Sequence, residues 1–249
     1  MTNAPQDKLS KEEIERYARH IILREIGGPG QQKLKKARVL VIGAGGLGAP
    51  ILIYLAAAGV GTLGIVDDDL VSLSNLQRQI IHGDETIGDP KVNSAEAAIA
   101  RINPHINVEK HETRLDETNI TDILSSYDLV IDGSDNFTTR YLIADYAQKL
   151  NVPLITGAIG RFDGSVTVLK PYENNNPSYR DLFPAPPPAG TIPSCAEAGV
   201  VGALPGVIGS LQAMEAIKLI TGIGESLIGR ILLYDGLNAR FDVIHYSKK

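Results

Sequence analysis

Three short stretches of this 249-residue chain carry residue types that could bind and move phosphate. The first, Gly43-Ala44-Gly45-Gly46-Leu47-Gly48, follows an apolar run that reads as a buried strand and opens one that reads as a helix. Glycines at such a junction leave backbone N–H groups at the helix N-terminus free to bind an anion. Asp67 lies 19 residues beyond Gly48, at the end of the next strand, where a carboxylate accepts hydrogen bonds from ribose hydroxyls. The second stretch, Ser74-Asn75-Leu76-Gln77-Arg78-Gln79, together with Pro90-Lys91, supplies two cations suited to a polyphosphate, Arg78 and Lys91. The third, Gly133-Ser134-Asp135-Asn136, follows a strand directly and supplies Asp135, an acid of the kind that holds Mg²⁺.

Taken singly, each has a plain structural role. The glycines would permit tight packing, Arg78 would form a surface ion pair, Lys91 would start a helix in water, and Asp135 would cap the helix at Asn136. All of them follow strand ends, where open α/β sheets bind ligands, and together they point to a polyphosphate site. The glycines and Asp67 alone would equally suit an NAD-dependent oxidoreductase, but hydride transfer leaves Arg78, Lys91 and Asp135 without work. A non-catalytic binding partner would not need the full set either.

The elements that must position these residues follow a β-α-β rhythm. Strands are predicted at Arg38 to Ile42, Thr62 to Val66, Ile106 to Thr113, Asp128 to Asp132 and Val152 to Ile155. Helices are predicted at Ile51 to Ala58, Lys91 to Ile102 (stopped by Asn103-Pro104) and Asn136 to Leu150. Three further strands, Ser165 to Leu169, Arg230 to Tyr234 and Arg240 to Tyr246, read as an antiparallel addition, with a helix from about Val207 to Thr221 ended by Gly222. The fold class is α/β: a doubly wound, Rossmann-like, mostly parallel sheet with N-terminal helices and an antiparallel C-terminal extension. At the N-terminus, Ser10 and Glu13 have capping-box spacing, and Ile14, Tyr17, Ala18, Ile21 and Ile22 form one stripe of a helix that Gly27-Gly28 would stop. One domain is expected over 1–249: a helical arm (9–36), a nucleotide-binding core (37–160) and an extension (161–249). Its mobile crossing loop spans about 171–198, because Pro171 to Pro193 holds seven of the 14 prolines.

Composition narrows the class. A net charge of -5 argues against general nucleic-acid binding. Val39 to Val66 runs 28 residues without a charge, but its seven glycines fit buried strands and turns better than a membrane span. With a single cysteine, Cys195, no internal disulfide and no multi-cysteine zinc site can form, and a reducing cytoplasm is the expected compartment. The five histidines stand at no metal-ligand spacing and are expected in ordinary polar roles.

Over nearly its whole length the chain resembles the ThiF/MoeB/HesA family, relatives of the ubiquitin-activating enzymes. The resemblance rests on Arg16-Tyr17-Ala18-Arg19-His20, Gly43 to Gly48, Asp67-Asp68-Asp69, Ser72 to Gln79, Gly88-Asp89-Pro90-Lys91, Arg101 to His105, Asp132 to Asn136 and Ile208 to Glu215. It implies an ATP-dependent adenylyltransferase that activates the C-terminal Gly-Gly carboxylate of a ubiquitin-like sulfur-carrier protein, in molybdopterin or thiamine biosynthesis. A sulfurtransferase would be a further partner. Carried over residue by residue, Gly43, Gly45, Gly46, Gly48, Asp67, Asp69, Ser74, Asn75, Leu76, Gln77, Arg78, Lys91, Asp135 and Asn136 would line the ATP site, with Asp135 as the Mg²⁺ ligand. The family forms homodimers, and Arg19 would reach the partner's triphosphate. The carrier's body would dock near Tyr234 and Phe241.

Two departures stand out. Many relatives bind zinc through paired cysteines, but Ser178 and Asp181 stand where the first pair would be and the tail from Ile244 to Lys249 has no cysteine, so no zinc is expected. Cys195 sits where relatives carry a crossover cysteine, and a covalent role for it would need an exposed, electropositive site.

Overall fold

The computed structural model describes residues 8–188 and 199–249. Its centre is one eight-stranded sheet: β1 (Arg38–Ile42), β2 (Thr62–Val66), β3 (Asn107–His111), β4 (Leu129–Asp132), β5 (Leu154–Gly160), β6 (Asp163–Leu169), β7 (Arg230–Asp235) and β8 (Arg240–His245). The spatial order is β3-β2-β1-β4-β5-β6-β7-β8. Strands β3 to β5 run parallel, and β6, β7 and β8 each pair antiparallel with the strand before. This is the doubly wound sheet with its expected extension, and the chain reverses direction in the order between β1 and β4.

Alternation along each central strand feeds two cores. Val39, Val41, Leu63 and Ile65 face one side, with α3 (Gly27–Lys36), α4 (Gly48–Ala58), α5 (Lys91–Ile102) and the long helix α9 (Leu204–Thr221). Leu40, Ile42 and Val130 face the other, against α6 (Ile120–Leu124) and α7 (Phe137–Leu150). Because both faces are covered, β1, β2 and β4 are nearly continuous apolar runs. Among the described residues no helix is long and apolar enough to cross a membrane.

The ends of α5, Lys91 and Ile102, fall where Pro90 and Asn103 punctuate the chain, and Gly222 (φ 80°) ends α9 as expected. The N-terminal arm differs from the expected single helix. Ser10 and Glu13 do form the capping box of α1 (Lys11–Arg16), but the helix breaks at Tyr17 before α2 (Ala18–Ile21). The cause is burial of Tyr17, which is 3 % exposed; its hydroxyl accepts from Asn103 Nδ2 (2.7 Å) and its ring fills the space beside Gly59. Ile14 and Ile22 are left exposed, so the predicted stripe is not a buried face of this chain. Gly27-Gly28 begin α3 rather than stop a helix.

The proline-rich crossing is also more ordered than expected over its described part. Tyr179 opens the one-turn α8 (Tyr179–Leu182) and is buried between Tyr141 and Phe183, with ring centroids 5.1 Å away on either side. At the positions of the missing zinc pair, Ser178 Oγ donates to Asp181 Oδ2 (2.7 Å), and Asp181 Oδ1 accepts from the Lys249 backbone N–H (2.9 Å). These bonds, that of Lys249 foremost, hold the Asp181 carboxyl down at about 2. They fasten the crossing to the C-terminal tail. Residues 189–198, which include Cys195, lie outside the described residues.

Helix α9 crosses α4 at contact distance because Gly209 carries no side chain: a Cβ there would lie 2.5 Å from Pro50 Cγ and 2.7 Å from the Leu47 carbonyl. Gly206, one turn earlier, has open space. Gly209→Ala is expected to lower the urea unfolding free energy by about 1–3 kcal/mol. Gly206→Ala, in the same helix, is expected to raise it by about 1 kcal/mol, and equal effects at the two sites would contradict the close crossing.

Candidate functional site

The turns after β1 and β4 meet at the reversal of strand order, and a cleft of about 760 Å³ opens above them. Gly43 leaves β1 at φ 91°, and its carbonyl lies where a Cβ on Gly48 would be, 1.8 Å away. Only glycine fits at Gly48, so α4 starts directly over the end of the strand. The amide of Ala44 donates to Asp67 Oδ2 (2.7 Å), whereas those of Gly45 and Gly46 have no acceptor among the described residues and face the cleft. Buried His82 holds the turn from behind. Its Nε2 bonds the Ala44 carbonyl (2.9 Å) and its Nδ1 the Ser94 hydroxyl of α5 (2.8 Å), while burial pushes its pKa down, so the ring stays neutral with its proton on Nε2.

Asp67, at the end of β2, also accepts from the Asp69 amide (2.9 Å). Burial pushes its carboxyl upward, against the pull of Lys91. Lys91 is buried at the start of α5 with its Nζ 2.6 Å from Asp69 Oδ2 and 3.9 Å from Asp67 Oδ1. The acids that follow β2 thus pair this buried cation inside the protein. Carboxylate oxygens of Asp67, Asp68 and Asp69 lie within 4.8 Å of one another.

The opposite wall is built on Asp132, 1 % exposed. Its Oδ1 accepts from the Ser134 amide (2.9 Å) and hydroxyl (2.6 Å), and its Oδ2 from Thr156 Oγ1 (2.8 Å). The turn is thereby fixed with Asp135 exposed and lining the cleft. The helix cap is Asn136, whose Oδ1 accepts from the Thr139 amide (2.9 Å), so Asp135 is left free of that structural duty. Arg140, one turn into α7, donates from Nη2 to the Ser134 carbonyl (2.8 Å) and lies over the Phe137 ring.

Arg78 lines the cleft from the segment after β2, donating from Nη1 to the Ser74 carbonyl (3.0 Å). The structure thus brings Gly43, Gly45, Gly46, Asp67, Asp69, Arg78, Lys91, Asp135 and Asn136 around one cleft. Gly48 supports it from below. Ser74, Asn75, Leu76 and Gln77 sit beside the cleft without lining it, and Asn75 Oδ1 accepts from the Ser72 amide (3.2 Å). Arg19 is exposed on α2, in the arm packed against the C-terminal end of α4, away from the cleft of its own chain. Sequence reasoning missed Gln79, Arg114 and Arg140, all of which line the cleft. Arg140 had a legible signal, lying four residues after Asn136 and hence on the same helix face.

Chemically, free turn amides, a helix N-terminus, two cations and an unpaired acid make a site for a polyphosphate with a divalent ion. Among the described residues no histidine lines the cleft, so no Ser-His-Asp arrangement is formed there.

The chain is 52% identical over 246 residues to the probable adenylyltransferase/sulfurtransferase MoeZ of Mycobacterium tuberculosis, covering 98% of this chain and 63% of MoeZ. The chain thus spans under two thirds of that relative. It is also 52% identical over 235 residues to the sulfur carrier protein adenylyltransferase of Thermus thermophilus, covering 93% of this chain and 87% of that protein. Among solved structures, E. coli MccB with ATP superposes with a TM-score of 0.80 at 16% identity, covering 97% of this chain and 80% of that one, which establishes a shared fold. The ThiF family pattern matches residues 17–249, and with relatives half identical over nearly the whole chain, this protein belongs to the ThiF family.

Proposed function

We propose that this protein is an ATP-dependent adenylyltransferase that activates the C-terminal Gly-Gly carboxylate of a ubiquitin-like sulfur-carrier protein. The observation that carries the reading is the cleft itself: Arg78, Lys91 and Asp135 line it together with the free glycine-turn amides. The name of the Thermus relative, a sulfur carrier protein adenylyltransferase, supports it.

The reaction asks for little acid–base chemistry. A terminal carboxylate has a pKa of about 3.5 and is already ionised at neutral pH. Its oxygen attacks the α-phosphorus, the bond from that phosphorus to the bridging oxygen breaks, and pyrophosphate leaves with the electron pair, giving the acyl-adenylate. The obstacle is repulsion between two anions. Arg78 and the turn amides offset phosphate charge, while Lys91, held between Asp67 and Asp69, has a cation whose exposed partner Asp69 can release it to a phosphate. Mg²⁺ fits beside Asp135, whose carboxylate lines the cleft and has no cation partner among the described residues; bound there, it would supply further charge neutralisation. No zinc enters this reading, since Ser178 and Asp181 are bonded to each other and to the C-terminal tail.

The carrier's body is assigned to the outer edge of the sheet. Phe241 is 51 % exposed on edge strand β8 and packs on Tyr234 of β7 with ring centroids 4.6 Å apart. An exposed Phe241 on an edge strand, stacked on the half-buried Tyr234, suits a protein partner, whose flexible tail then runs along the sheet to the cleft. The sulfurtransferase step, the homodimer and a cytoplasmic setting belong to the same reading.

Arg78→Ala and Asp135→Ala are each expected to lower carrier-dependent ATP–pyrophosphate exchange by at least ~10²-fold with unchanged thermal midpoints, because neither side chain is part of a core. Near-normal exchange by either would defeat these roles. Arg19, remote from its own cleft, is assigned to the cleft of a partner subunit. Arg19→Ala and Asp135→Ala proteins, each inactive alone, should regain roughly a quarter of wild-type activity when unfolded and refolded together, since half of the dimers then hold one intact site. A mixture that stays inactive would place Arg19 outside the site.

A further inference from the structure

We propose that Gln79 is a further nucleotide-binding residue, its carboxamide donating to the phosphate chain at the N-terminus of α4. The inference rests on the adenylyltransferase reading of the same cleft and adds a contact to it.

Gln79 is 5 % exposed and lines the cleft next to Arg78. Its Oε1 is buried with no hydrogen-bond partner. Its Nε2 has no acceptor among the described residues, and it lies 3.5 Å from the position a Cβ on Gly45 would take, against the glycine turn. The backbone on either side is committed: the Gln79 amide donates to the Asn75 carbonyl (2.9 Å), and its carbonyl accepts from the His82 amide (3.1 Å). The side chain is therefore held at this place, with its amide unspent.

Gln212 shares the unpartnered buried oxygen, but the other buried glutamines spend their amide N–H groups. Gln31 donates to the Ala58 carbonyl (2.7 Å) and bonds His20, and Gln212 donates to the Asp132 carbonyl (2.8 Å). Among the described residues Gln79 is the buried glutamine whose side chain bonds nothing. A carboxamide carries two N–H donors and an acceptor, and burying them unpartnered costs free energy that an apolar side chain of the same length would not. It is the Nε2 donors, not the buried oxygen, that a ligand acceptor in the cleft can partner. As placed, the Gln79 NH₂ already faces the turn where the Gly45 and Gly46 amides and Arg78 line the cleft. Those groups are all donors, and the ligand they select is rich in acceptors: a phosphate chain. A neutral amide there fixes the geometry of the chain without adding to the charge that Arg78 and Lys91 already supply.

The test uses ATP as the probe, with Mg²⁺ and without any carrier. Gln79→Met keeps the volume and removes both polar ends; Gln79→Glu keeps the shape and sets an anion at the turn. The Met variant is expected to match or exceed the wild-type thermal midpoint in nucleotide-free protein while its Kd for ATP rises about tenfold. The Glu variant's Kd should rise about a hundredfold. In exchange assays the loss should fall on the KM for ATP and leave the KM for carrier unchanged. An ATP Kd unaltered in both variants overturns the proposal, and if the Met variant does not fold, an unaltered Kd in the Glu variant does so alone. Failure of the unmutated protein to bind ATP would overturn the reading of the whole cleft, and is read separately because it needs no variant.

Discussion

The site depends on a steric interlock between two strand ends. The Gly43 carbonyl occupies the place of a side chain on Gly48, and a Cβ on Gly43 would itself lie 3.0 Å from the Gly133 carbonyl. The Gly133 amide donates to the Ile42 carbonyl (2.8 Å), so the turns that leave β1 and β4 are pressed together without side chains between them. That contact aims the N-terminus of α4 and the Asp135 turn at one volume. It occurs where the strand order reverses, the position at which a parallel sheet leaves a crevice.

Around that interlock, buried polar groups act as fixtures rather than reagents. Asp132, Asp67 and His82 each use their side chains on backbone groups of the two turns, and burial pushes the pKa of His82 down. The groups left over for a ligand are at the surface of the cleft: the Gly45 and Gly46 amides, Arg78 and Asp135. Lys91 lies between the two classes, buried but paired with an acid, Asp69, that is largely open to solvent. A rigid frame with a few unsatisfied donors and unpaired acids among the described residues suits a reaction in which two anions must be held together.

Much of this was legible in the sequence because it is local. The strand-end placement of Arg78, Lys91 and Asp135 follows from apolar runs bounded by glycine and proline, and α5 needed only Pro90 and Asn103 to set its limits. What was illegible depends on distant partners. The arm bends because Tyr17 reaches Asn103 and Gly59, and α8 orders because Tyr179 meets Tyr141 and Phe183. That Asn136 rather than Asp135 caps α7, which sets aside the plain structural role weighed for Asp135, is settled by geometry. Gln79 stood in a motif, but that its amide is buried without a partner is a fact of packing, invisible in one dimension.

The most direct measurement is intact-mass spectrometry of a sulfur-carrier protein ending in Gly-Gly after incubation with this protein, ATP and Mg²⁺. The account predicts an AMP adduct confined to the carrier's C-terminal carboxylate, absent when the two glycines are removed. An adduct that survives that truncation, or a carrier left unmodified while ATP is consumed, would contradict it.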